Sequence, residues 1–157
     1  MFHSFIKLTD SEYYPFDSPS QRIVTYPFIV ASLRLLKPGG RLAMVVPSEI
    51  FHIPHAQSLR SFMIEQCSRI LILDPKELWF TDTLQGTVLL MAEKKSIKNA
   101  LSQGIAVLSD VTRDILATDP EVLFQQSEYT NGSTVKGKWM QVFLTAKQRS
   151  LLSDCQT

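Results

Sequence analysis

The stretch Tyr26–Pro47, YPFIVASLRLLKPGGRLAMVVP, restricts the fold of this chain more than any other. Ile29, Leu33 and Leu36 recur at helical spacing and Arg34 faces away, so the stretch opens as an amphipathic helix. Pro27 inside that pattern predicts a kink or a late helix start. Lys37-Pro38-Gly39-Gly40 ends the helix, because proline cannot continue the hydrogen-bond ladder and glycine accepts a left-handed turn cheaply. Leu42–Val46 is then a continuous apolar run with no polar residue at alternate positions, the pattern of a strand buried on both faces of a parallel sheet. Helix, turn, buried strand and the exit at Pro47 make half of an α/β unit.

The next segments continue that alternation. Pro47-Ser48 opens an irregular turn, with Glu49–His52 as one turn of helix. Ala56–Gln66 places Leu59, Phe62 and Met63 on one face and Arg60 and Glu65 outside, as a surface helix packing on a sheet does. Arg69–Leu73 reads as a second buried strand, stopped by Asp74-Pro75. Lys76–Gln85 is a loop carrying Trp79 and Phe80. Gly86–Ala92 is a third apolar strand, with Glu93-Lys94-Lys95 as its solvated exit. About a dozen residues without helical period join the last two strands, too few for a crossover helix and enough for an antiparallel return.

A helix running into LLKPGGRLAMVVPS, followed by this order of elements, resembles class I S-adenosylmethionine-dependent methyltransferases. Within them it is most similar to the restriction-modification enzymes that make N6-methyladenine in DNA. The resemblance covers residues 21–95, about half the chain. It implies an α/β fold: part of a Rossmann-like sheet ending in an antiparallel strand, with S-adenosylmethionine as methyl donor and DNA as substrate. In that family a glycine-rich loop holds the cofactor, and an Asp/Asn-Pro-Pro-Tyr/Phe motif orients the target amine. This sequence contains neither, and Gly39-Gly40 reads as a helix stop. Catalytic and cofactor-binding residues are therefore expected on a missing N-terminal portion or a partner chain, and this chain alone is expected to be inactive and not to bind the cofactor.

The resemblance carries over one position. In the family, an aromatic in the loop before the final antiparallel strand stacks on the adenine turned out of the helix. Phe80 matches that place and Trp79 is its neighbour. Stacking would offset part of an unstacking cost of roughly a few kcal/mol. The competing reading is that either ring plugs the end of the sheet.

Residues 1–20 hold five aromatics but no periodicity and read as loop, with Asp17-Ser18-Pro19-Ser20 capping the helix to come. Beyond Lys95 the character changes. Gly104–Asp110, Glu121–Tyr129 and Trp139–Leu144 all read as strands, so residues 96–157 are expected to begin a β-rich target-recognition or linker region. The chain of 157 residues is 45% apolar and 20% charged, ample for a core, and its net charge of +1 gives no bulk argument for nucleic acid. Cys67 and Cys155 match no metal spacing, and His52-x-x-His55 with Pro54 between lacks a full ligand set, so no metal is expected. No apolar run approaches the roughly 18 residues of a membrane span, and a cytoplasmic chain is expected. Two alternatives stand beside the main reading. One is a methyltransferase of the same fold acting on RNA, protein or a small molecule; the other is a non-catalytic DNA-binding subunit.

Overall fold

The computed structural model describes residues 25–77, 86–131, 139–144, 148 and 151. The fold is mixed α/β. In chain order it comprises α1 (Thr25–Leu35), β1 (Arg41–Pro47), α2 (Gln57–Gln66), β2 (Cys67–Pro75), β3 (Thr87–Lys94), β4 (Gly104–Val111) and α3 (Pro120–Gln126), with short 3₁₀ turns between them. The four strands form one sheet in the order β1-β3-β2-β4.

The antiparallel return lies inside the sheet. β3 runs antiparallel to both β1 and β2, and β4 joins the far side of β2 in parallel. β1 and β2 thus point the same way without touching, with β3 between them. The first helix starts late, with Pro27 in its first turn, where a missing N–H leaves no helical bond unmade. Gly39 ends the turn after α1 at φ +75°, the left-handed conformation expected of it.

Strand alternation divides the core between the two faces of the sheet. On one face α1 and α2 cover Val46, Val88, Leu90, Ala92, Ile70, Ile72 and Ile105, with Tyr26, Ile29, Leu33, Leu59 and Met63 packed on them. On the other, α3 sets Phe124 against Leu71, Leu73, Met91, Ala106 and Val111. Ile70–Leu73 is buried throughout, so the reading of β2 as a fully buried strand holds.

The same expectation fails for β1. Arg41, Ala43 and Val45 are exposed, Val45 at 47%. β1 is an edge strand, and α3 reaches its second face only at Arg41, leaving Ala43 and Val45 uncovered. The backbone N–H of Lys94 donates to the Gly40 carbonyl and that of Ser48 to the Gly86 carbonyl. By alternation Arg41, Ala43 and Val45 turn their backbone groups to the open edge, where Pro47 has no N–H to offer.

Three further expectations are corrected. Arg60, placed outside α2, is 2% exposed because its guanidinium donates to the carbonyls of Ile50 and Ile53 at 2.9 and 2.8 Å. Glu121–Tyr129, read as a strand, holds most of α3, whose N-cap Asp119 accepts the Glu121 N–H at 2.8 Å and whose first turn carries Pro120. Trp139–Phe143 is a 3₁₀ turn where a strand was expected, and its Trp139 ring stacks on Phe51 at 5.7 Å. Gly104–Val111 is a strand as expected, in the same sheet as the others. Among the described residues no helix is long and apolar enough to cross a membrane.

Candidate substrate-binding end of the sheet

In open α/β sheets, ligands gather at the carboxyl ends of the parallel strands. Here those ends belong to β1, β2 and β4, and the connection from β2 to β3 starts and finishes among them. Its finish is held firmly. Pro47 pairs with Thr87, and the Gly86 carbonyl accepts both the Ser48 N–H at 3.0 Å and the Ser48 Oγ at 3.1 Å. A Cβ on Gly86 would stand 3.2 Å from that Oγ, so glycine permits the close approach. Ser48, read from the sequence only as part of an irregular turn, thus acts as a tether. Its start is held by the Lys76 N–H, which donates to the Val111 carbonyl at 3.0 Å. Phe80 and Trp79 belong to this connection but lie outside the described residues, as does Cys155.

Behind the exit of β1, the Ser48–Phe51 turn packs Ile50 and Phe51 into the core. Arg60 on α2 binds two carbonyls of this crossing, which fixes its path where no regular ladder can. Tyr26, 1% exposed, lies near the same groups. Burial, helped by the negative charge of Glu49 and opposed by Arg60, pushes its hydroxyl up to about 12, so it stays protonated. Phe51 carries Trp139 on one side and Phe143 at 5.9 Å, tying the 139–144 turn to the same crossing.

At the ends of β2 and β4 the sheet becomes acidic. The ladder slips between Leu73 and Pro75, so that Asp74 meets the bulged segment containing Asp110, which adopts φ 55°. Burial first, and the charge of Asp110 second, raise the Asp74 carboxyl above its ordinary range. Asp74 was legible as a strand-end acid in the sequence; its neighbour Asp110 was not, since they are joined only by the parallel pairing of β2 with β4. Among the described residues no three His, Cys, Asp or Glu side chains converge as a metal site. His52 is exposed beyond the 3₁₀ turn.

The opposite end of β3 is also not the solvated exit its sequence suggests. Lys94 Nζ donates to the carbonyls of Leu36 and Arg34 at 2.8 and 3.2 Å, capping the negative end of α1. Glu93 bridges Arg69 and Arg41 on the two flanking strands.

No family model matches the chain, and no curated protein matches it in sequence. Several solved structures are similar. One is the ATP-dependent type ISP restriction-modification enzyme LlaBIII bound to DNA, at 16% identity and a TM-score of 0.48 over 73% of this chain and 9% of that one. Another, from Listeria monocytogenes and described as a class I S-adenosylmethionine-dependent methyltransferase, gives 25% identity and a TM-score of 0.40 over 63% and 29%. A third is the M protein of the type I restriction enzyme EcoKI, at 25% identity and a TM-score of 0.40 over 50% and 16%. The chain spans less than a third of each of these proteins.

Proposed function

We propose that this chain contributes part of the catalytic domain, residues 21–95, and the start of a target-recognition region, residues 96–157, to a DNA adenine-N6 methyltransferase of the restriction-modification kind. The methyl donor is S-adenosylmethionine, and its site of action is the DNA of the cytoplasm. The glycine-rich loop and the Pro-Pro motif come from another portion of the enzyme or from a partner chain. The observation that carries the reading is the placement of β3. Its entry is bonded to the exit of β1 through Ser48 and Gly86, at the end of the sheet where parallel strands collect ligands, which supports a substrate site there. Phe80 stacks on the target base and Trp79 flanks it.

Asp74 and Asp110 favour a second reading. A phosphate backbone is repelled by two neighbouring carboxylates, so a methyltransferase of the same fold acting on an amine of a less anionic substrate is the alternative.

Tryptophan fluorescence separates the two. The chain has two tryptophans, so Trp139→Phe leaves Trp79 as the sole reporter. A duplex with an unpaired adenine is expected to quench Trp79 more than the fully paired duplex. Phe80→Ala is expected to weaken that binding by roughly 5- to 150-fold, equivalent to about 1–3 kcal/mol of stacking. Phe80→Tyr, which keeps a large ring without adding a second tryptophan, should retain most of it. Equal signals from paired and unpaired adenine would overturn the stacking role, and full binding by Phe80→Leu would make the ring a hydrophobic plug.

A further inference from the structure

The molecule carries opposite charges on two surfaces, and each is edged with exposed aliphatic side chains. The first lies where β1 begins and β3 ends. The Gly39 N–H donates to the Lys94 carbonyl at 3.1 Å and the Lys94 N–H to the Gly40 carbonyl at 2.8 Å, so the Lys37–Gly40 turn and the segment after Lys94 form one surface. Lys37 and Lys98 are exposed and Lys95 is half-buried. Among the described residues the ion pairs seen fall on Arg41 and Arg69, and none on these three lysines. Leu35, Ile97 and Leu101 stand beside them at 72%, 71% and 93% exposed.

The second surface runs from the last residues of β4 into the segment after it. Asp110, Asp114 and Asp119 are exposed there with one exposed cation, Arg113, so carboxylates outnumber it, and Leu116 and Val122 are 57% and 38% exposed. Whole-chain charge is only +1, so these are local fields and not a bulk excess.

We propose that the basic surface around Lys37, Lys95 and Lys98 docks the acidic surface around Asp114 and Leu116 of a second copy of this chain. Complementary charge sets partner and orientation, and the aliphatic side chains supply the apolar area that surface ion pairs alone do not. A duplex backbone fits the basic surface less well, because three large aliphatics would be left against phosphate. The two surfaces differ, so the contact is head-to-tail. It leaves one of each free at the ends and permits growth beyond a pair.

Sedimentation velocity on the full chain tests this, at about 50 mM and about 500 mM salt to vary screening. The wild-type chain is expected to form species larger than a monomer as concentration rises at low salt, and to lose them at high salt. Lys37→Glu with Lys98→Glu, or Asp114→Lys with Leu116→Lys, should each weaken association about tenfold or more. Both pairs of substitutions in one chain should restore it, a rescue that simple loss of stability would not give. A strictly monomeric wild-type chain would overturn the proposal. So would association that ignores these variants and survives high salt, as pairing through the open edge of β1 would, or capture of duplex DNA by this surface with no self-association.

Discussion

Arg69 on β2 and Glu93 on β3 stand directly opposite one another in the ladder, with Nη2 and Oε2 2.7 Å apart. Arg41 on β1 faces Glu93 from the other side at 3.0 Å, so one carboxylate ties together three strands. Glu121 of α3 bonds Arg41 from above, and Phe124 lies under both guanidinium groups, 5.2 Å from Arg41 and 4.8 Å from Arg69. The row therefore also fastens α3 to the sheet.

This row sets an acid limit on stability. Burial pulls the Glu93 carboxyl up, but hydrogen bonds from Arg69 and Arg41 outweigh it and leave it below its ordinary range. A carboxyl depressed in the folded state contributes stability above its unfolded value, about 4.3, and loses it as pH falls through the folded value. Thermal melts should thus drop below about pH 4, and Glu93→Gln should flatten that drop while lowering the melting temperature at neutral pH. An unchanged acid profile in Glu93→Gln would remove the row from the account.

Asp74 should behave with the opposite sign. Its carboxyl is raised by burial and then by Asp110, so ionisation at neutral pH works against the fold. Asp74→Asn is expected to raise the melting temperature at pH 7, with the gain vanishing as acid protonates the native residue. If Asp74→Asn instead destabilises at pH 7, the carboxylate has a favourable partner that this description lacks.

Trp139 tests whether the late segment belongs to this core. It is 1% exposed and stacked on Phe51 at an interplanar angle of 11°. Trp139→Ala should cost about 3–5 kcal/mol, as loss of a large buried aromatic does, whereas Trp139→Phe should cost much less. A melt unaffected by the alanine would mean that the 139–144 turn is not docked on the Ser48–Phe51 crossing.

The sequence made the central elements legible where one local signal dominated. α1, the glycine stop, β2 and the antiparallel return followed from helical spacing, φ > 0 at Gly39 and a short connection. The exposure of β1 was hidden because LAMVV looks the same on an edge as at the centre of a sheet, and only the strand order decides. Arg60 was misplaced since its burial depends on two carbonyls of a distant turn, not on its helical phase. Apolar residues in 121–129 suggested a strand, but Asp119-Pro120 is a helix start and its cap prevailed. At the candidate site the Ser48–Gly86 tether and the Asp74–Asp110 pair are long-range contacts with no sequence motif. Phe80 and Trp79 rest on resemblance.

The most direct measurement supplies S-adenosylmethionine carrying a labelled methyl group to this chain combined with the polypeptide that bears the glycine-rich loop and the Pro-Pro motif. Label should appear at N6 of adenine in duplex DNA, depend on both components, and fall with Phe80→Ala but not with Phe80→Trp. Label in RNA, in protein or in a small amine, with none in DNA adenine, would contradict the account.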